Sequence, residues 1–299
     1  MRTVFVLLAL LLVSTTSAAT HAGFDAISME PRHNEAFPAA IQELTFESDG
    51  YRLSGLIYMA TGPGPHPTVL LLHGFPGNEK NLDIAQALRR DGFNVMFFHY
   101  RGAWGSEGNY QVLKGYEDAL TALAFLRQPD NAAKYRVDTH KMSVLGHSLG
   151  GYTSLATGYR DKDLVCVGAM SPVNMGIWVG GVNAKDPGLD RVVAYADTLF
   201  MLQGFGAEAM RRQMKTADLS QVDTRNFGPG LRGKSVFMVV GEQDTVTPAP
   251  VMFTPVVAAY LQDRQIELQH HIISGDHSFS WSRLHLTRLV LDWMEKDCR

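Results

Sequence analysis

A serine flanked by glycines, Gly146-His-Ser148-Leu-Gly150, follows the strand-like run Lys141–Gly146 and precedes a helical pattern over Leu149–Tyr159. A hydroxyl at the tip of a tight strand-to-helix turn needs small neighbours, so that the backbone can turn and Oγ can stand clear. The helix that follows aims its first amides at the reacting carbon. That is the chemistry of a nucleophile attacking a carbonyl, with Ser148 as nucleophile and the Leu149 N–H as one donor to the developing oxyanion. A second donor is expected from Leu71-Leu-His73-Gly74-Phe75-Pro-Gly77, at the exit of the earliest parallel-type strand. The Phe75 N–H suits that role, and His73 reads as an imidazole that holds the loop by hydrogen bonds rather than as the base.

The elements that must position these groups alternate from residue 42 onward. Gln42–Ser48 and Tyr51–Ala60 read as an antiparallel pair across Asp49-Gly50. Strands follow at Thr68–Leu72, Asn94–Tyr100, Lys141–Gly146, Leu164–Ala169, Ser235–Val240 and Ile266–Ile273, and helices at Asn81–Arg90, Gln111–Arg127, Leu149–Tyr159, up to about Leu261, and Ser280–Lys296. This rhythm predicts an α/β fold with a mainly parallel sheet, antiparallel N-terminal strands, and helices on both faces. The strand C-termini then share one edge, where ligands bind. Residues 174–232 break the rhythm and read as a helical cap inserted into a catalytic domain made of 20–173 and 233–299. Its apolar side chains form its own small core, with Trp178, Phe200 and Phe205 as candidates for a ceiling over Ser148.

With His73-Gly74-Phe75, Tyr100-Arg101-Gly102-Ala-Trp104-Gly105-Ser106, Gly146-His-Ser148-Leu-Gly150, Gly241-Glu-Gln-Asp244 and Gly275-Asp-His277 in this order, the sequence resembles the α/β-hydrolase superfamily over about residues 42–297. Within it the chain looks closest to the serine aminopeptidase and dienelactone hydrolase-like esterase groups. The resemblance implies the α/β-hydrolase fold and the chain order nucleophile, acid, base, and the local reading agrees. Asp244 follows the Ser235–Val240 strand, and His277 lies in the loop after Ile266–Ile273. A carboxylate accepting from one ring nitrogen fixes the tautomer and leaves the other nitrogen to take the serine proton. Glu242 is an alternative acid if its strand ends early. Asp276 adjoins the base, but neighbouring side chains diverge. Arg101 has two readings, a carboxylate-substrate anchor and a pin for its own loop, and the second is preferred.

The chain has 299 residues, 45% apolar and 19% charged, with a formal net charge of −3. Nothing there favours nucleic acid as a partner. Arg2, the apolar run Val4–Val13 and the small residues Ser14–Ala19 form the three parts of a secretory leader. Residues 1–19 are therefore expected to direct export to the periplasm or medium and to be removed after Ala19, with Ala18 or Ala22 as other sites. No stable membrane insertion is expected afterwards. Cys166 sits in a strand core and Cys298 at an apparent frayed end, so no disulfide is expected. His270 and His271 point to opposite strand faces and cannot share a metal. No metal or other cofactor is expected, since H-E-x-x-H, P-loop and dinucleotide signatures do not occur. The expectation is an exported hydrolase of carboxylic esters working through an acyl-enzyme on a small-molecule or short acyl or peptide substrate. An aminopeptidase or amidase with the same triad is the near alternative. A non-catalytic binding protein on the same fold is the alternative of a different class.

Overall fold

Strands that are apolar on both faces have to be covered on both faces, and this chain does so with two separate cores. A computed structural model describes residues 23–299; the expected leader, residues 1–19, lies outside the described residues. β1 (Ala40–Ser48) and β2 (Tyr51–Met59) form the expected hairpin, with Asp49 and Gly50 both at positive φ, 52° and 79°. That turn matches the twist of the strands it joins. The chain continues through β3 (His66–Leu72), α1 (Leu82–Arg90), β4 (Asn94–Phe98), α2 (Gly115–Arg127) and α3 (Pro129–Tyr135). β5 (Val137–His147), α4 (Leu149–Arg160) and β6 (Cys166–Met170) follow.

Between β6 and the next strand lie α5 (Met175–Asn183), α6 (Pro187–Ala196), α7 (Ala207–Lys215), α8 (Leu219–Val222) and α9 (Gly228–Leu231). β7 (Ser235–Gly241), α10 (Thr254–Leu261), β8 (Glu267–Ile273) and α11 (Arg283–Asp297) complete the fold. The eight strands are ordered β1-β2-β4-β3-β5-β6-β7-β8. β1–β2 and β2–β4 pair antiparallel, and every pairing from β4 to β8 is parallel. The α/β-hydrolase architecture expected from the sequence is what forms.

Alternation sorts the buried side chains. Leu70 and Leu72 of β3 face a core shared with α2, α4, α10 and the cap, while Val69 and Leu71 face α1 and α11. Likewise Val236, Met238 and Val240 of β7 face the first core, and Phe237 and Val239 the second. This parity fixes register, because a slip of one residue would exchange the two faces.

The cysteines overturn the sequence expectation. Cys166 and Cys298 form a disulfide with Cα atoms 5.8 Å apart. The end of α11 is docked rather than frayed. Trp293 stacks on Phe237 with centroids 5.1 Å apart, and its indole N–H donates to Ser235 Oγ at 2.9 Å. Asp297 accepts from that same hydroxyl and from Gln269, and Cys298 is only 1% exposed. A helix end held this way delivers its cysteine to the start of β6, a tertiary fact that local sequence does not carry.

Candidate active site

Because β3 to β8 run parallel, their exits line one edge, and the sheet order decides what stands beside Ser148. β3 lies on one side of β5, the strand that leads into Ser148, and β6 on the other, followed by β7 and β8. The Phe75 loop therefore flanks Ser148 on one side, and the Asp244 and His277 loops are reached through the other.

Ser148 has φ 59° and ψ −120°, a strained conformation for a residue with a side chain. The turn is tight enough that a Cβ on Gly146 would come within 2.0 Å of the Gly150 carbonyl oxygen. The Ser148 N–H donates to Met170 O at 2.9 Å, and its carbonyl accepts from the amides of Gly151, Tyr152 and Val173. The serine is 6% exposed. Leu149 opens α4, so its amide points out of the helix N-terminus. The Phe75 loop closes on this point. A Cβ on Gly74 would stand 2.9 Å from Ser148 Cβ and 3.4 Å from its Oγ, so only glycine lets the two backbones meet. His73, fully buried, sets its Nδ1 against the Gly74 carbonyl at 2.8 Å, and burial pushes its pKa down to about 4. It is neutral at pH 7 and bonded within its own loop.

On the other side His277 Nδ1 and Asp244 Oδ2 are 2.8 Å apart. Asp244 also accepts from the amides of Val246 and Thr247, each at 2.8 Å to Oδ1, and from the Thr247 hydroxyl at 2.6 Å to Oδ2. Burial opposes its charge. The hydrogen bond and charge of His277, then the Thr247 hydroxyl and amide, outweigh it and hold the carboxyl well below the usual carboxylate range. An ionised acceptor requires Nδ1 of His277 to carry a proton, which leaves Nε2 free to accept one. No hydrogen bond joins Ser148 Oγ to His277 among the described residues. The competing carboxylates are turned elsewhere. Glu242 is exposed and accepts from Gln243, while Asp276 caps the turn at Ser278 and Ser280.

The architecture has close counterparts among solved structures. The Pyrococcus furiosus esterase Pf2001 superposes with a TM-score of 0.63 at 16% identity, over 91% of this chain and all of that one. Est1E from Butyrivibrio proteoclasticus gives 0.62 at 17% identity, over 85% and 98%. A family model described as serine aminopeptidase, S33, matches residues 63–194, a span that holds Phe75 and Ser148 and stops short of Asp244 and His277. The chain takes the α/β-hydrolase fold. Among curated relatives, this chain is 28% identical over 145 residues to the quorum-quenching protein AidA of Acinetobacter baumannii, covering 46% of each chain. It is 30% identical over 138 residues to esterase EstD of Thermotoga maritima, covering 42% of this chain and 31% of that one. The chain spans less than half the length of the curated relatives it matches.

The cap rearranges the sequence-based lining. Phe200 is 90% exposed and leaves the proposed ceiling. Leu199 and Leu202 take the inward positions of that turn, Met201 is half-buried against the core, and Phe200 is left facing water. Trp178 is buried in the core that cap and body share. Phe205 does reach the Phe75 loop, with its ring edge-on to Phe75 at 5.9 Å and to Tyr110 at 5.0 Å. Tyr195, 44% exposed, stands edge-on to Phe75 at 6.5 Å. The sequence reading missed Tyr110 and Tyr195 as partners of this wall, because neither carries a local signal. It also missed Thr247, which had one. An aspartate three residues before a threonine is the spacing of a side-chain-capped turn. Arg101 pins its loop, with Nη2 at 2.8 Å from buried Asp118 and Nη1 at 2.6 Å from Asp49.

Among the described residues no cluster of His, Cys, Asp and Glu has metal-site geometry, and no helix is long and apolar enough to cross a membrane.

Proposed function

We propose that this chain is a serine hydrolase of carboxylic esters. Ser148 Oγ attacks the ester carbonyl while His277 Nε2 takes its proton, and Asp244 stabilises the resulting imidazolium. The amides of Phe75 and Leu149 receive the oxyanion. The alcohol leaves with the proton held by His277, and water, activated by the same nitrogen, hydrolyses the acyl-enzyme. One observation carries this reading: a Nδ1-anchored imidazole, 2.8 Å from an ionised aspartate, in the exit loop next but two along the sheet edge from a strained serine. The preference for esters is supported by the half-buried aromatic wall of Phe75 and Phe205, which favours a neutral or apolar acyl group. The named esterases among its relatives and neighbours point the same way.

The family model favours a second reading, aminopeptidase activity. That reaction needs an anion to hold the substrate ammonium. Asp244 and Asp276, the carboxylates beside the base, are already bound by Thr247 and His277 and by Ser278 and Ser280. We further propose that the protein works outside the cytosol. The Cys166–Cys298 disulfide supports this, because such bonds persist in oxidising compartments. Turnover of short-chain p-nitrophenyl esters and of aminoacyl p-nitroanilides by the wild type and Ser148→Ala tests the chemistry. Ester turnover lost in the variant is expected; faster turnover of the aminoacyl amides would replace the ester reading with the peptidase one.

A further inference from the structure

His147, the residue just before the nucleophile, is spent neither on the turn nor on substrate. Strand alternation puts it with Leu145 on the face of β5 covered by α1 and α11. There it is 3% exposed, its ring lying 4.8 Å from that of His277 and 6.4 Å from that of Phe279. Its Nε2 stands 2.7 Å from the main-chain carbonyl of His277, across 130 residues of sequence.

A carbonyl only accepts, so Nε2 must be the protonated nitrogen. Burial, aided by the neighbouring His277, pushes the His147 pKa down to about 3, so the ring is the neutral Nε2–H tautomer at neutral pH. The bond closes a circuit. Ser148 is tied to Met170 through its N–H and to Val173 through its carbonyl; Thr247 Oγ1 lies 3.2 Å from Ser171 O between them, and Thr247 holds Asp244. Asp244 holds the ring of His277, and His147 returns from the backbone of His277 to the elbow. The far flank of the base loop is tied separately, by Arg283 to Ser278 O at 3.2 Å and to Asn81 at 3.0 Å.

The geometry points to His147 as a positioning residue that fixes the base against the nucleophile by gripping the backbone of His277. Asp244 sets the tilt of the imidazole, and His147 sets where the imidazole is carried. Both constraints are needed, because a displacement of about 1 Å at reacting atoms costs on the order of 100-fold. This inference rests on His277 being the base.

The test compares His147→Leu, which removes the donor, with His147→Gln, whose side-chain amide reaches about as far as Nε2. In the folded protein, kcat and KM for p-nitrophenyl butyrate, the pH–rate profile, and the NMR titration of the His277 ring are measured. For His147→Leu, kcat is expected to fall about 10- to 100-fold with KM nearly unchanged. The His277 titration and the acid limb of the pH profile should move together, and His147→Gln should recover most of both. A His147→Leu protein that is folded and keeps the wild-type kcat and His277 titration would overturn the assignment, as would a folded His147→Gln that fails as badly as the leucine variant. The NMR titration reads the position of His277 without turnover, so a wild type that titrates normally but hydrolyses no ester would count against the hydrolase reading alone.

Discussion

At the sheet edge, Ser148, Asp244 and His277 are held by main-chain turns and short polar bonds, each at the exit of a parallel strand. In the cap, side chains are placed by packing, and a few polar contacts tie it to the loops beneath. The Trp104 amide donates to Met201 O, Gln203 N to Gly102 O, and Tyr110 N to Gln203 O, which seats the cap's central turn on the β4 exit loop. A second seat is Gln213, whose Nε2 donates to Tyr110 O at 3.0 Å and whose Oε1 accepts from Val112 N at 2.9 Å. The edge thus fixes atoms to hydrogen-bond precision, while the cap fixes a surface. Chemistry should be sensitive to single atoms at the edge and tolerant in the cap, where a change alters fit rather than rate.

The largest expected effect lies at the edge. Asp244→Asn keeps the shape but offers Nδ1 a donor in place of an acceptor, and kcat should fall about 10⁴-fold while the fold remains. A loss confined to KM would show that the carboxylate does not orient the base. Next is the anchor of α11. Replacing Cys166 and Cys298 together by serine should cost about 2–4 kcal/mol of stability, read from denaturant midpoints, with kcat of the folded fraction retained. Equal midpoints for the two proteins would mean that docking of Trp293 and Asp297 suffices.

The buried imidazoles give a pH signature. His73 and His147 have folded-state pKa values of about 4 and 3, below their ordinary 6.5. The unfolded chain therefore binds more protons between those values, so stability is full above pH 6.5 and declines as pH falls toward 4. Unfolding near pH 5 should take up close to two protons from this pair, one fewer in His147→Gln; an unchanged pH dependence in that variant would contradict the neutral assignment. The smallest effects belong to the cap. Phe205→Ala should raise KM several-fold for bulky acyl esters with little change in kcat, whereas Phe200→Ala should change neither. Equal effects would mean that the aromatic wall is not where substrate sits.

How far the sequence could be read follows the same division. Gly146, Ser148, Asp244 and His277 stand where a strand must stop and the chain must turn, and apolar runs followed by glycine and polar residues announce such points locally. The eight strands were legible for the same reason, although β5 begins at Val137, before the apolar stretch that signals it. Cys298 was misread because the docking of Trp293 on Phe237 is a contact between distant segments. Phe200 was misread because hydrophobicity alone does not say which side of a short turn faces inward. His147 carries no local signal of its role, because its partner is a backbone carbonyl 130 residues away.

The central claim is that Ser148 is an activated nucleophile, and labelling with a fluorophosphonate probe tests it most directly, with intact mass and peptide mapping on wild type and Ser148→Ala. The account expects one adduct on Ser148, absent from the variant. A folded wild-type protein that takes no adduct, or takes it on another residue, would contradict it.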